Sequence, residues 1–374
     1  MKQRLAYIDN YRTFLIIIVI TGHISGVYGG TGKGTWPYIE LVNDFFTKSA
    51  LATFDAVILG FVLSSFFFVS GYFVPQAMER KGFRRFITDR IIKFSLPVLF
   101  YFLILSQINR YLGQTAKGFD GSLTEFVSQS WHNGVYGRIG IMWFVGALLL
   151  FSVAYAFYHK LFSKRSWFIP KAFPSNYLIG AFITALSLFI YVSRIWFPLK
   201  GFSVSDLPIG SMMLFFLFFM LGARANQGSW LEKLKPKVVN IWFAIVCVLI
   251  VFAVGLIVTG NSGYESGTIQ GGGTLLSLSF AVWEVVLGVG ILMKLLQLFK
   301  RKLNYQSRFS EALSQSSFVA YIIHPTIIIL VTVALKPVIL FPFAKFLLVC
   351  AIVLFIVFSL SWLITRIPGV RKFV

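Results

Sequence analysis

Arg12 and His23 share one apolar stretch near the start of the chain. A helix rises 1.5 Å per residue, so the imidazole would sit about 16 Å further along than the guanidinium. An ionisable side chain carried that far into a bilayer is costly, and it faces a cavity or a partner rather than lipid. Guanidinium matches phosphate oxygens bidentately, and imidazole takes a proton from a hydroxyl near neutral pH. The pair therefore suits an anionic donor held at one membrane face, with chemistry performed inside. Two plainer readings stand beside this one. Arg12 can be an interfacial anchor paired with Asp9, and His23, in Thr21-Gly22-His23-Ile24-Ser25, can be a satisfied core residue.

Further candidates lie downstream. Ser70-Gly71 follows Phe66-Phe67-Phe68-Val69, and small residues there either admit a ligand or form a helix-packing notch. The basic run from Arg80 to Lys93, with Arg84, Arg85 and Arg90, offers further cations for phosphate, and Pro97 then predicts a kink. Glu284 is a carboxylate near the middle of an apolar stretch, where acids are normally paired. Its expected depth is comparable with that of His23, which it could orient or polarise; Asp55 is a weaker candidate of the same kind. His324 precedes Pro325, which denies the Tyr321 carbonyl its helical donor, so His324 can simply satisfy local backbone. Trp143 can line a cavity, whereas Trp36, Trp196 and Trp362 fit interfacial belts. His132 and His159 carry no special expectation.

The elements that must position these residues are membrane helices. Of the 374 residues, 57% are hydrophobic and only 13% charged, against about 25% charged in soluble domains. Apolar windows of about 20 residues fall near 11–29, 53–75, 92–112, 141–160, 176–196, 208–223, 239–259, 274–297, 316–335 and 345–365. The fold predicted is one all-α polytopic bundle of about ten helices over 1–374. Placing the even connections and both tails inside collects roughly three-quarters of the 34 Lys and Arg there, as the positive-inside rule requires. Both termini are thus expected in the cytoplasm, and the first helix is expected to be an uncleaved span rather than a signal peptide.

The net charge of +21 is then mostly a cytoplasmic-face property. It fits topology and anionic lipid, or a polyanionic cytosolic ligand. Nucleic acid is not expected, because the basic residues belong to membrane-flanking loops. Cys247 and Cys350 sit in apolar runs without metal-ligand spacing, so neither a disulfide nor a metal is expected. Gly29-Gly30-Thr31-Gly32-Lys33-Gly34 lacks the Ser or Thr of a phosphate loop and follows a helix, so that reading is rejected. Neither an internal repeat nor a second domain is evident.

The Arg12-to-His23 spacing, Phe66 through Gly71, Met142-Trp143-Phe144 and Tyr321-Ile322-Ile323-His324 together resemble acyltransferase family 3, over essentially the whole chain. Trp36, Asn43-Asp44-Phe45, Ser70-Gly71-Tyr72-Phe73 and Arg366-Ile367-Pro368 further resemble the branch containing glucan succinyltransferases. The resemblance implies an acyl-CoA donor at the cytosolic face, with no tightly bound cofactor, and a carbohydrate or glycolipid acceptor hydroxyl. His23 would be the family's essential histidine and Arg12 its helix-1 arginine, with Ser70 and Gly71 in its second motif. Its paired-arginine motif is met only in part, by Arg90 and Lys93, and lysine is a point charge rather than a planar fork.

The expectation is therefore a multi-pass O-acyltransferase of a bacterial inner membrane that moves an acetyl or other short acyl group, such as succinyl. The rival is a transporter or exporter in which His23, Glu284 and His324 relay protons.

Overall fold

The computed structural model describes residues 5–29, 36, 38–40, 42–134, 136, 138–162, 172–199, 203–204, 207–260, 269 and 271–370. The rejected glycine loop lies outside these from Gly30 to Gly34. The chain is helical in α1 (Ala6–Ser25), α2 (Phe45–Tyr72), α3 (Val74–Lys81), α4 (Phe83–Phe100), α5 (Ser106–Thr115) and α6 (Leu123–His132). It continues as α7 (Trp143–Phe162), α8 (Asn176–Trp196), α9 (Ile209–Gln227), α10 (Pro236–Val258), α11 (Leu275–Lys302), α12 (Arg308–Ala334) and α13 (Pro342–Ile364). Among the described residues one two-residue strand pair, Ser203–Val204 with Leu207–Pro208, precedes α9. The molecule is an all-α polytopic bundle.

Among the described residues, nine helical segments are long and apolar enough to cross a membrane. α1 has spanning length, at 20 residues, but falls outside that set. Its sequence explains why: Asp9, Asn10, Arg12 and His23 dilute its apolar run. The residues that could do chemistry are the ones that weaken its hydropathy.

Local sequence sets the breaks. Pro97 lies inside α4 and removes one backbone donor. The helix then widens into a π-helical turn at Tyr101–Leu105, one turn after the proline, before resuming as α5. α12 begins at a reciprocal Ser307–Ser310 cap, and Thr274 caps α11 by accepting from Ser277 N at 3.0 Å.

The contacts define two compact units. The first contains the described residues of 1–11, 59–94 and 144–305. In it α11 packs on α8 and α10, and α3 on α9. Phe67 sits in a ring cluster with Phe144, Phe151 and Phe215, at centroid separations of 4.9, 5.2 and 5.0 Å. Asn10 donates to the carbonyls of Leu303 and Tyr305, at 2.8 and 2.9 Å, satisfying backbone just past α11. The second unit contains the described residues of 12–58, 95–143 and 306–374. There α12 packs along α13 and against α5.

Candidate active site

In the second unit, the site begins with a proline. Pro325 carries no N–H, so the carbonyl of Tyr321, one turn earlier in α12, has no helical donor. His324 fills that gap: its Nδ1 lies 2.7 Å from Tyr321 O. A carbonyl only accepts, so Nδ1 carries the proton and Nε2 of the neutral ring is an acceptor. That Nε2 lies 2.8 Å from Nδ1 of His23. His23 must therefore donate from Nδ1, which leaves its own Nε2 with a free lone pair.

The ring centroids of the two histidines are 5.0 Å apart. This is close to the nitrogen contact plus the two ring radii, so the nitrogens point at each other along the line of centres and the faces do not stack. The plainer role of His324, satisfying local backbone, is thus fulfilled through one nitrogen, while the other engages His23.

The same helices are joined elsewhere. Thr13 Oγ1 of α1 lies 3.1 Å from Ser317 Oγ of α12, so α1 and α12 run parallel between their two polar contacts. Tyr321 also donates its hydroxyl to the carbonyl of Ile141, which ties the Met142-Trp143 segment to the residue that sets the histidine tautomer. Thr326 donates to Asn109 Oδ1 of α5 at 2.7 Å. One residue before His23, Gly22 lets the end of the Ile58 side chain of α2 approach α1, since its Cδ1 would lie 2.3 Å from a Cβ there. On the other side Trp36 contacts His23 ring to ring, at 5.7 Å and 61°.

Arg12 is exposed near the start of α1 and Asp9 is half-buried. Arg12 and His23 are three helical turns apart, and successive residues turn by about 100°, so both side chains leave α1 on nearly one face. Asp55, buried in α2, also belongs to this unit.

The first unit holds the other expected residues. Gly71 is a crossing point of α2 with α9: a Cβ there would come within 1.9 Å of Phe219 O, and one on Gly222 within 2.0 Å of Phe68 O. The notch is filled by backbone, so at Gly71 the packing alternative describes what the small residue does. Ser70 beside it is half-buried. The guanidinium of Arg90 lies 5.2 Å from the ring centres of both Phe86 and Phe94, one turn to either side. Lys93 is exposed. Lys81 is paired with Asp89 at 2.5 Å.

Glu284 is held by Arg194 of α8, at 2.5 Å between Oε2 and Nη1. A midspan acid needs a charge partner, and Arg194, fully buried beneath the ring of Phe280, is that partner. A lone arginine in an apolar window, set beside a lone acid in another, was the overlooked signal. Lys345, 1% exposed, was missed likewise; it pairs with Glu40 at 2.9 Å.

The acyltransferase domain family model matches residues 5–366. No curated protein and no solved structure matches the chain. The match runs through nearly all of both units and includes Arg12, His23, Trp143 and His324. A chain matched over almost its whole length, with spanning helices and a histidine pair among them, is an enzyme rather than a transporter: it belongs to acyltransferase family 3, the membrane acyltransferases.

Proposed function

We propose that this acyltransferase moves an acetyl or other short acyl group, such as succinyl, from cytosolic acyl-CoA to a hydroxyl of an extracytoplasmic or lipid-linked carbohydrate, with His23 as general base. The observation that carries this reading is the hydrogen-bond chain from Tyr321 O through His324 to His23. It leaves Nε2 of His23 as the nitrogen able to take the acceptor's proton. The alkoxide oxygen then attacks the thioester carbonyl, and the carbon–sulfur bond breaks. The departing thiolate recovers the proton from Nε2, so no proton is gained or lost overall. During the step His23 is an imidazolium, and Nε2 of His324 stabilises it by accepting the Nδ1 proton.

Arg12 is read as a phosphate clamp for the donor. About 16 Å of helix separates it from His23, a distance of the same order as an extended pantetheine arm. Arg90 and Lys93 are further phosphate candidates, with Ser70 beside them in sequence and Trp143 a candidate for the acceptor or the cavity wall. The orientation with both termini in the cytoplasm rests on the basic residues of the even connections, in a cell membrane that is bacterial in this reading.

The test uses purified protein in proteoliposomes, supplied with acetyl-CoA or succinyl-CoA with and without a cell-envelope glycan extract. Acceptor-dependent release of CoA thiol that disappears in His23→Ala supports the reading and identifies the donor. Equal release from wild type and His23→Ala would rule out His23 as the base.

A further inference from the structure

Beside His23 lies a strap of non-helical chain that the acyl-transfer chemistry does not use. Its described residues are Trp36, Tyr38–Glu40 and Val42–Asp44, all within the second unit. Irregular backbone is normally the most mobile part of a fold, yet this segment is fastened at several points. Glu40 N donates to Val27 O, just past α1, at 2.9 Å. The Glu40 carboxylate takes Lys345 Nζ of α13 at 2.9 Å and also accepts the Tyr38 hydroxyl. Lys336 Nζ lies 5.9 Å from the centre of the Tyr38 ring. Asp44 accepts from Thr47 N at 2.7 Å and starts α2.

A lysine as buried as Lys345 is stable as a cation only when paired, so the charge balance of this region requires Glu40, and therefore the strap, to stay in place. What the fastening holds is Trp36, half-buried, with its ring edge-on to the His23 imidazole at 5.7 Å. An indole partly open beside a general base presents a flat apolar face with one polar handle. That shape suits a molecule with C–H bonds on one face and hydroxyls on its rim.

We propose that Trp36 is a sugar-stacking residue that lays a neutral pyranose ring beside His23, and that the Glu40–Lys345 pair is the clamp that positions it. The inference rests on the acceptor being a carbohydrate, as in the function proposed above. It adds where one ring of that carbohydrate lies and which residue recognises it. If Trp36 merely shielded the imidazole from water, its removal would instead raise CoA release in the absence of any acceptor.

The experiment uses the full chain in nanodiscs, as wild type, Trp36→Phe, Trp36→Ala and Glu40→Gln, with cellobiose as the neutral sugar probe. Binding is read by saturation-transfer NMR, and CoA release is followed separately against acetyl-CoA. Wild type and Trp36→Phe should bind cellobiose, whereas Trp36→Ala and Glu40→Gln should bind it about tenfold more weakly, with the KM for acetyl-CoA unchanged. Equal binding by wild type and Trp36→Ala, no binding by wild type, or raised acceptor-free release in Trp36→Ala would each overturn the proposal. Intact, Trp36-dependent binding without CoA release from any protein would rule out acetyl transfer to this probe and leave the sugar platform standing.

Discussion

Nδ1 of His23 lies 2.8 Å from Nε2 of His324, and the direction of that bond is decided at the far nitrogen of His324, where Tyr321 O can only accept. A dyad of two neutral imidazoles is ambiguous by itself, since either ring can donate. The carbonyl removes the ambiguity, and with no N–H on Pro325 no helical donor competes for it. One residue without an N–H thus fixes which nitrogen of a histidine on another helix is basic.

His324 should then behave as a positioning residue. Replacing it by Phe removes the acceptor for His23 Nδ1–H and should lower kcat by about 100-fold or more, with KM for either substrate changed little. Gln, whose side-chain carbonyl can accept the same proton, should restore part of the loss. Steady-state kinetics on the two variants decide it: a Phe variant with wild-type kcat removes His324 from the mechanism.

Pro325→Ala separates stability from activity. The substitution returns a backbone N–H that competes with His324 for Tyr321 O. Proline inside a helix costs up to about 3 kcal/mol, so thermal stability should hold or rise while kcat falls. A variant that is more stable and equally active would mean that the tautomer is set elsewhere.

Much of this was legible in the sequence, because charge and hydropathy act over short range. Most apolar windows reappear as helices, and the Tyr321–Pro325 relationship follows from helical spacing alone. The unread parts are contacts made between distant segments. Nothing local tells Glu284 that Arg194 of α8 will lie beside it, or tells Gly71 that backbone of α9 will pack against it. Trp36 looked like an interfacial tryptophan because its ring contact with His23 depends on how the strap folds back.

Gly71 tests that distinction. A Cβ 1.9 Å from a backbone oxygen cannot be relieved by a side-chain rotation, so Gly71→Ala and Gly222→Ala should each force α2 and α9 apart, at about 1–3 kcal/mol or more. Lower melting temperatures and lower yields of folded protein are expected for both. A Gly71→Ala protein with wild-type stability but weaker acyl-CoA binding would return this position to the ligand.

The Arg194–Glu284 pair should show strong non-additivity. Arg194→Met leaves a buried carboxylate unpaired, which costs about 3–5 kcal/mol, whereas an apolar replacement of both partners can be nearly neutral. Thermal unfolding of the two single variants and the Arg194→Met/Glu284→Met double variant completes the cycle. If Glu284 acts only through this pair, the double variant regains both stability and CoA release. Regained stability without CoA release would instead assign Glu284 a catalytic role.

The strap has its own pH limit, set by Tyr38. Burial first, and then the neighbouring Glu40 carboxylate, hold its phenol above the ordinary value, because ionisation would place two negative charges side by side. The folded strap therefore keeps a proton that a released strap loses near its ordinary pKa of about 10. The stabilisation is fully present below that pH and is lost as pH rises beyond it. Acrylamide quenching of Trp36, taken as the difference between wild type and Trp36→Phe, should stay constant through neutral pH and increase in the alkaline range. Tyr38→Phe has no phenol to ionise, so its alkaline increase should disappear. An unchanged alkaline transition in Tyr38→Phe would assign it to another group and remove Tyr38 from this role.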